Sequence, residues 1–137
     1  MNSSFRILIA DRNRHVREFL QREFSSAGYQ CELAANGQEI LSRLQDPPHV
    51  LILDLEIPLI DGWQLLEAFA THRPRVPVIV HTFLGEYFNH PLLASADALV
   101  EKKGDPDSLK AAVLEVLARY YPEKLFAERR PSCSPAS

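Results

Sequence analysis

A chain of 137 residues, 46% apolar and 24% charged, fits a single globular domain large enough to bury a core. Its formal charge of −3 argues against a nucleic-acid-binding surface, which needs a basic excess that Arg129 and Arg130 do not supply. No stretch approaches the roughly 20 apolar residues of a membrane span, and Met1-Asn2-Ser3-Ser4 lacks the charged and apolar regions of a signal peptide.

Strand and helix patterns alternate along the chain, which is the βαβ signature of a parallel sheet covered on both faces. Phe5 to Ala10 is an apolar run ending at Asp11-Arg12. Val16, Phe19, Leu20 and Phe24 then recur at helical spacing, and Gly28 stops that helix. Gln30 to Leu33 is a weaker strand and contains Cys31. Ile40, Leu41 and Leu44 mark a second helix ended by Pro47-Pro48. Val50-Leu51-Ile52-Leu53 is the most continuous apolar run and closes on Asp54. Pro58 and Asp61-Gly62 impose a turn, with Asp61 able to cap a helix over Trp63 to Ala70. Val76 to Val80 is a further strand, ending at His81-Thr82-Phe83. The stretch from Leu84 to Ala96 is a poor helix candidate because Pro91 interrupts it. Ala98 to Val100 is a short last strand ending at Glu101-Lys102-Lys103. The last helix is expected to take Asp105 as N-cap and Pro106 at N1, with Leu109, Val113, Val116 and Leu117 on one face. From Pro122 onward the pattern dissolves, so residues 122–137 are expected to be a mostly mobile tail after a domain spanning 5–121.

Open α/β sheets bind their ligands at the carboxyl ends of the strands. There, four parallel strands would gather Asp11, Asp54, Thr82 and Lys102 around one crevice: two acids, a hydroxyl and an amine. A carboxylate can act as nucleophile and form an acyl phosphate. Phosphoryl transfer otherwise needs positioning and positive charge around the equatorial oxygens. Asp54 read alone is equally a polar residue that merely ends a strand.

The order of elements and these strand-end residues resemble the receiver domain of bacterial two-component response regulators. Its most specific local match is Val50-Leu51-Ile52-Leu53-Asp54-Leu55-Glu56-Ile57-Pro58-Leu59-Ile60-Asp61-Gly62. The resemblance covers about Phe5 to Tyr121 and implies a flavodoxin-like, doubly wound five-stranded parallel sheet of order 2-1-3-4-5. It implies that Asp54 accepts a phosphoryl group from a sensor histidine kinase or phosphotransfer protein. Thr82 would follow the new phosphoryl oxygen and Lys102 would pair with the phosphate. Asp11, Asp54 and the Glu56 backbone carbonyl would hold Mg²⁺. The output implied is docking to a downstream protein by a stand-alone, cytoplasmic signalling domain rather than an enzyme, with homodimerisation left open.

One position departs sharply. The family normally carries two consecutive acids after the first strand, the second a direct metal ligand, and here the pair is Asp11-Arg12. Arg12 either snorkels to solvent, leaving the pocket one ligand short and Mg²⁺ binding weakened, or stands in for the metal. The missing second acid also carries an alternative function: an atypical receiver-like docking domain with weakened metal binding and no regulated phosphorylation, its Arg12 holding one conformation. Lys103 also replaces the proline that usually follows the lysine, and Leu99 occupies a position that is often aromatic.

Other chemistries fall away. An aspartyl-nucleophile phosphatase needs D-x-D-x-T, whereas Glu56 and Pro58 follow Asp54 at those places. His15, His49, His72, His81 and His90 have no ligand spacing, and the glycines form no phosphate-cradling loop. Cys31 and Cys133 fit neither a metal site nor a disulfide framework, consistent with a reducing compartment. Trp63 is expected to be a packing residue near the site.

Overall fold

The computed structural model describes residues 4–83 and 90–129. Five strands, β1 (Arg6–Ala10), β2 (Gln30–Ala34), β3 (Val50–Leu53), β4 (Val78–Thr82) and β5 (Ala98–Glu101), form one sheet of order β2-β1-β3-β4-β5. Every pairing is parallel. The helices are α1 (Arg14–Ser26), α2 (Gly37–Ser42), α3 (Gly62–Thr71), α4 (Asp107–Tyr120) and α5 (Pro122–Arg129). This is the doubly wound, flavodoxin-like arrangement expected from the sequence.

Two cores form because successive side chains of a strand point to opposite faces. Leu8, Leu51, Leu53, Val78 and Val80 face one way and are covered by Ile40 of α2 and by Leu65, Leu66 and Phe69 of α3. Ile7, Ile9, Val50, Ile52 and Ile79 face the other way, under Leu20 and Phe24 of α1 and Leu109, Val113, Val116 and Leu117 of α4. Burial on both faces explains why the central strands read as unbroken apolar runs. Each fully buried aliphatic side chain contributes about 1.5–3 kcal/mol.

Element ends are fixed by local chemistry. Asn13 caps α1 by accepting from the backbone N–H groups of His15 and Val16, and Gly28, at φ 99°, turns the chain away from its other end. Asp61 caps α3 through the Trp63 N–H, as expected. At α4 the expected start moves by one residue. The helix begins at Asp107 with Pro106 at the cap position, while the Asp105 carboxylate still accepts the Asp107 N–H at 2.8 Å. Gly62 lies so close to the preceding loop that a Cβ there would sit 2.2 Å from the Leu55 oxygen, so only glycine fits.

Two segments differ from expectation or fall outside it. Between β4 and β5, Pro91–Ser95 form a 3₁₀ turn, and residues 84–89 of the poor helix candidate lie outside the described residues. The expected tail is corrected for its first part: Pro122–Arg129 is helical, and residues 130–137 lie outside the described residues. Leu125 packs against the second core, Lys124 lies 5.2 Å from the Phe5 ring centroid, and Ser4 donates its hydroxyl to Glu128. These contacts order a segment whose own apolar periodicity is weak.

Ending the chain at Tyr121 is therefore expected to cost about 1–2 kcal/mol, through the lost Leu125 burial and the Lys124–Phe5 contact. Urea unfolding of the shortened and full chains measures it. An unchanged midpoint would show that α5 contributes nothing to stability.

Candidate functional site

The parallel register places the strand ends side by side. Ala10 pairs with Leu53, so Asp11 and Asp54 leave adjacent strands together, and Leu53 pairs with Val80 on β4. Thr82 pairs with Glu101 on β5, which puts Lys102 immediately beyond Thr82. Asp11, Asp54 and Thr82 are all buried, at 1%, 1% and 2% exposure. The structure thus brings together the residues expected from the sequence.

Lys102 holds the two acids. Its Nζ lies 2.9 Å from Asp11 Oδ2 and 3.4 Å from Asp54 Oδ2, while its backbone N–H donates to the Thr82 oxygen at 2.8 Å. Main-chain donors complete the carboxylates. Glu56 N–H reaches Asp54 Oδ1 at 3.0 Å, Arg12 N–H reaches Asp54 Oδ2 at 3.3 Å, and Asn13 N–H reaches Asp11 Oδ1 at 2.8 Å. Burial pushes the Asp11 carboxyl above its ordinary 3.8, against the opposing pull of the Lys102 hydrogen bond and of the Asn13 N–H. The Lys102 ammonium also lies over the Phe83 ring, 5.5 Å from its centroid.

Arg12 does not point away into solvent. Its Nε lies 3.9 Å from Asp54 Oδ2, and its Nη2 lies 2.6 Å from Glu56 Oε1, with the side chain half exposed. The Glu56 side chain thus has a role that the sequence reading, which gave only its backbone oxygen, missed. A glutamate two residues beyond Asp54, on the same loop, was the signal for it. Arg17 was missed as well: its Nη1 donates to the Asp11 oxygen at 2.7 Å, bracing the start of the β1–α1 loop from within α1.

The donors for a divalent cation are poor. Asp11 and Asp54 supply carboxylates, but both already face Lys102, and among the described residues no group of three His, Cys, Asp or Glu side chains is placed to hold a metal. A unit positive charge about 4 Å from another is repelled by about 4 kcal/mol at an effective dielectric near 20, and a divalent ion by about twice that. Arg12 stands at this pocket in place of a second acid, removing one carboxylate ligand and adding a repelling cation, so the residues present do not fit a divalent ion.

The receiver-domain model of response regulators matches residues 7–114. The chain belongs to the response regulator receiver family. Response regulator MprA of Mycobacterium bovis is 34% identical over 123 residues, covering 88% of this chain and 54% of MprA. The chain therefore spans about half the length of the curated relatives it matches. Among solved structures, the response regulator TrrA of Thermotoga maritima, in complex with Mg²⁺-BeF, shares 30% identity at a TM-score of 0.77. That match covers 82% of this chain and 99% of TrrA. A CheY-like receiver domain from Methanospirillum hungatei reaches a TM-score of 0.80 at 27% identity, over 88% of this chain and 99% of its own. TrrA also matches in its complex with the histidine kinase ThkA, at a TM-score of 0.76 and 30% identity, over 82% of this chain and 98% of the matched one.

His81, next to Thr82 in this receiver domain, gives the site a pH signature. It is buried, and its Nδ1 has no hydrogen-bond partner among the described residues. Burial, reinforced by the Lys102 charge and opposed by Asp54, lowers its pKa from 6.5 to about 4. The unfolded chain binds a proton near 6.5 while the folded imidazole stays neutral. Stabilisation present above 6.5 is therefore lost as pH falls towards about 4, by roughly 3 kcal/mol from this group. His81→Gln should flatten that part of the stability–pH curve, read by urea unfolding near neutral pH and near the lower limit. A wild-type minus variant difference that is the same at both would show that His81 does not titrate in this way.

Proposed function

We propose that this receiver domain is the phosphoacceptor of a two-component pathway, taking a phosphoryl group on Asp54 from the phosphohistidine of a sensor histidine kinase or phosphotransfer protein. The observation that carries this reading is the buried Asp54 carboxylate at the end of β3, with Lys102 Nζ 3.4 Å away and Thr82 at the neighbouring strand end. The matched TrrA–ThkA complex supports the choice of a kinase as donor.

Each residue has a task in the transfer. Asp54 attacks phosphorus through a carboxylate oxygen, and the bond to the donor nitrogen breaks with its electron pair leaving on the imidazole. Lys102 neutralises charge on the phosphoryl oxygens without leaving Asp11, which holds its ammonium in place. Thr82 offers a small hydroxyl donor to one of those oxygens. The Glu56 N–H fixes the orientation of the attacking carboxylate. The phosphorylated surface is then read by a downstream protein, in the cytoplasm.

A second reading is a docking domain without regulated phosphorylation. The Arg12–Glu56 ion pair at 2.6 Å favours it, because Asp54 is only 1% exposed beneath that pair. The two readings separate on one measurement. Intact mass after incubation with a small phosphodonor should rise by one phosphoryl group, and Asp54→Asn should abolish the rise. A wild type that takes no label would favour the docking domain, and a label persisting in Asp54→Asn would place the acceptor elsewhere.

A further inference from the structure

We propose that Arg12 is the built-in cation of the phosphorylation site, binding the incoming phosphoryl group in place of a divalent metal ion. The inference rests on the reading of Asp54 as phosphoacceptor and adds how its charge is managed.

Charge carries the argument. Asp11, Asp54 and Glu56 bring three carboxylates to the pocket, and Lys102 and Arg12 bring two cations in contact with them, leaving a formal charge of minus one. With an acid in place of Arg12, the same pocket would stand at minus three. It would return to minus one only on binding an ion of charge two. Exchanging one carboxylate for one guanidinium thus supplies the same charge as a divalent ion, and supplies it permanently.

Geometry agrees with this. Arg12 is the residue immediately after Asp11, and its own N–H donates to Asp54 Oδ2 at 3.3 Å, so its Cα is fixed at the rim of the pocket. Glu56 Oε1 engages Nη2 at 2.6 Å and holds the guanidinium over Asp54, with Nε 3.9 Å from Oδ2. A guanidinium has five N–H donors in a planar fork that matches phosphate oxygens, and Glu56 engages it through Nη2. The half-exposed side chain stands between buried Asp54 and solvent, where a phosphoryl group must arrive. A residue placed only for solubility would not be tied down by an acid two positions beyond the nucleophile.

Phosphoramidate provides a metal-free test. Asp54 forms the O–P bond as the P–N bond breaks, and the nitrogen leaves as ammonia with the electron pair. Wild type, Arg12→Asp and Arg12→Lys are labelled in chelator and in millimolar Mg²⁺, and the label is quantified by intact mass. Melting temperature and fluorescence of Trp63, the sole tryptophan, are followed in parallel as Mg²⁺ is added. Wild type should label at the same rate in both conditions, and Mg²⁺ should move neither its melting temperature nor its fluorescence. Arg12→Asp should lose at least tenfold in chelator and recover with Mg²⁺, which should also raise its melting temperature. Arg12→Lys, which keeps the charge but loses the fork, should label in chelator faster than Arg12→Asp. Wild-type labelling on Asp54 that rises tenfold or more with Mg²⁺ would overturn the proposal while leaving the phosphoacceptor reading intact. So would an Arg12→Asp protein that labels like wild type in chelator. A wild type unlabelled in both conditions would remove the phosphoacceptor reading and this proposal with it.

Discussion

Two buried carboxylates that leave adjacent strands side by side need a shared cation, and Lys102 is that cation. The β1–β3 register fixes Asp11 next to Asp54, and neither side chain reaches solvent. Lys102 directly follows β5, two strands away from β3, and its side chain must cross the end of β4 to reach them. Its position is therefore a check on the whole sheet. A slip of one residue in β5 would turn Lys102 to the other face and leave two buried anions together. Losing one partner of a buried ion pair typically costs 3–5 kcal/mol. The salt bridge accordingly constrains the fold as much as it prepares the site.

The loop after β3 is held with similar firmness. Asp54 N–H donates to the Ala10 oxygen at 2.9 Å, and the Asp54 oxygen accepts the Ile57 N–H at 3.1 Å. Buried Leu55 and Ile57 anchor the loop in the first core, and Gly62 lets α3 start directly against the Leu55 carbonyl. Between these fixed points Leu59 adopts φ 78°, a conformation that a leucine rarely takes, with its side chain exposed. Strain is thus concentrated at the loop tip, while the residues that orient the Asp54 carboxylate stay tied to the sheet.

Much of this was legible in the sequence because burial on both faces writes itself as unbroken apolar runs. Val50 to Leu53 and Val76 to Val80 read as buried strands, and the polar residues that follow them, Asp54 and Thr82, lie at the crevice. The direction of Arg12 was not legible. A long side chain at a strand end can go to solvent or inward, and the choice depends on Glu56, whose partner is set by tertiary structure. Helix α5 was hidden for a related reason: its order comes from contacts with Phe5 and Ser4 at the other end of the chain. The α4 start was readable to within one residue, because Asp105 caps the first turn whichever residue opens the helix.

A guanidinium and a divalent ion meet the same charge demand through different physics, and the difference accounts for the residues around Arg12. Magnesium requires near-octahedral oxygen ligands at about 2.0–2.1 Å, which makes a backbone carbonyl and a second acid valuable. A guanidinium requires acceptors in its own plane, and it is bonded to the chain rather than drawn from solution. A side-chain carboxylate on the opposite loop then becomes the useful neighbour, and Glu56 provides one at 2.6 Å. In the role proposed for Arg12, the tether also replaces ion binding, with its dependence on concentration, by a side-chain rotation. Positive charge at Asp54 is consequently present whenever the domain is folded, and in the proposed role access to the carboxylate depends on whether Arg12 stays with Glu56 or turns to an arriving phosphoryl group.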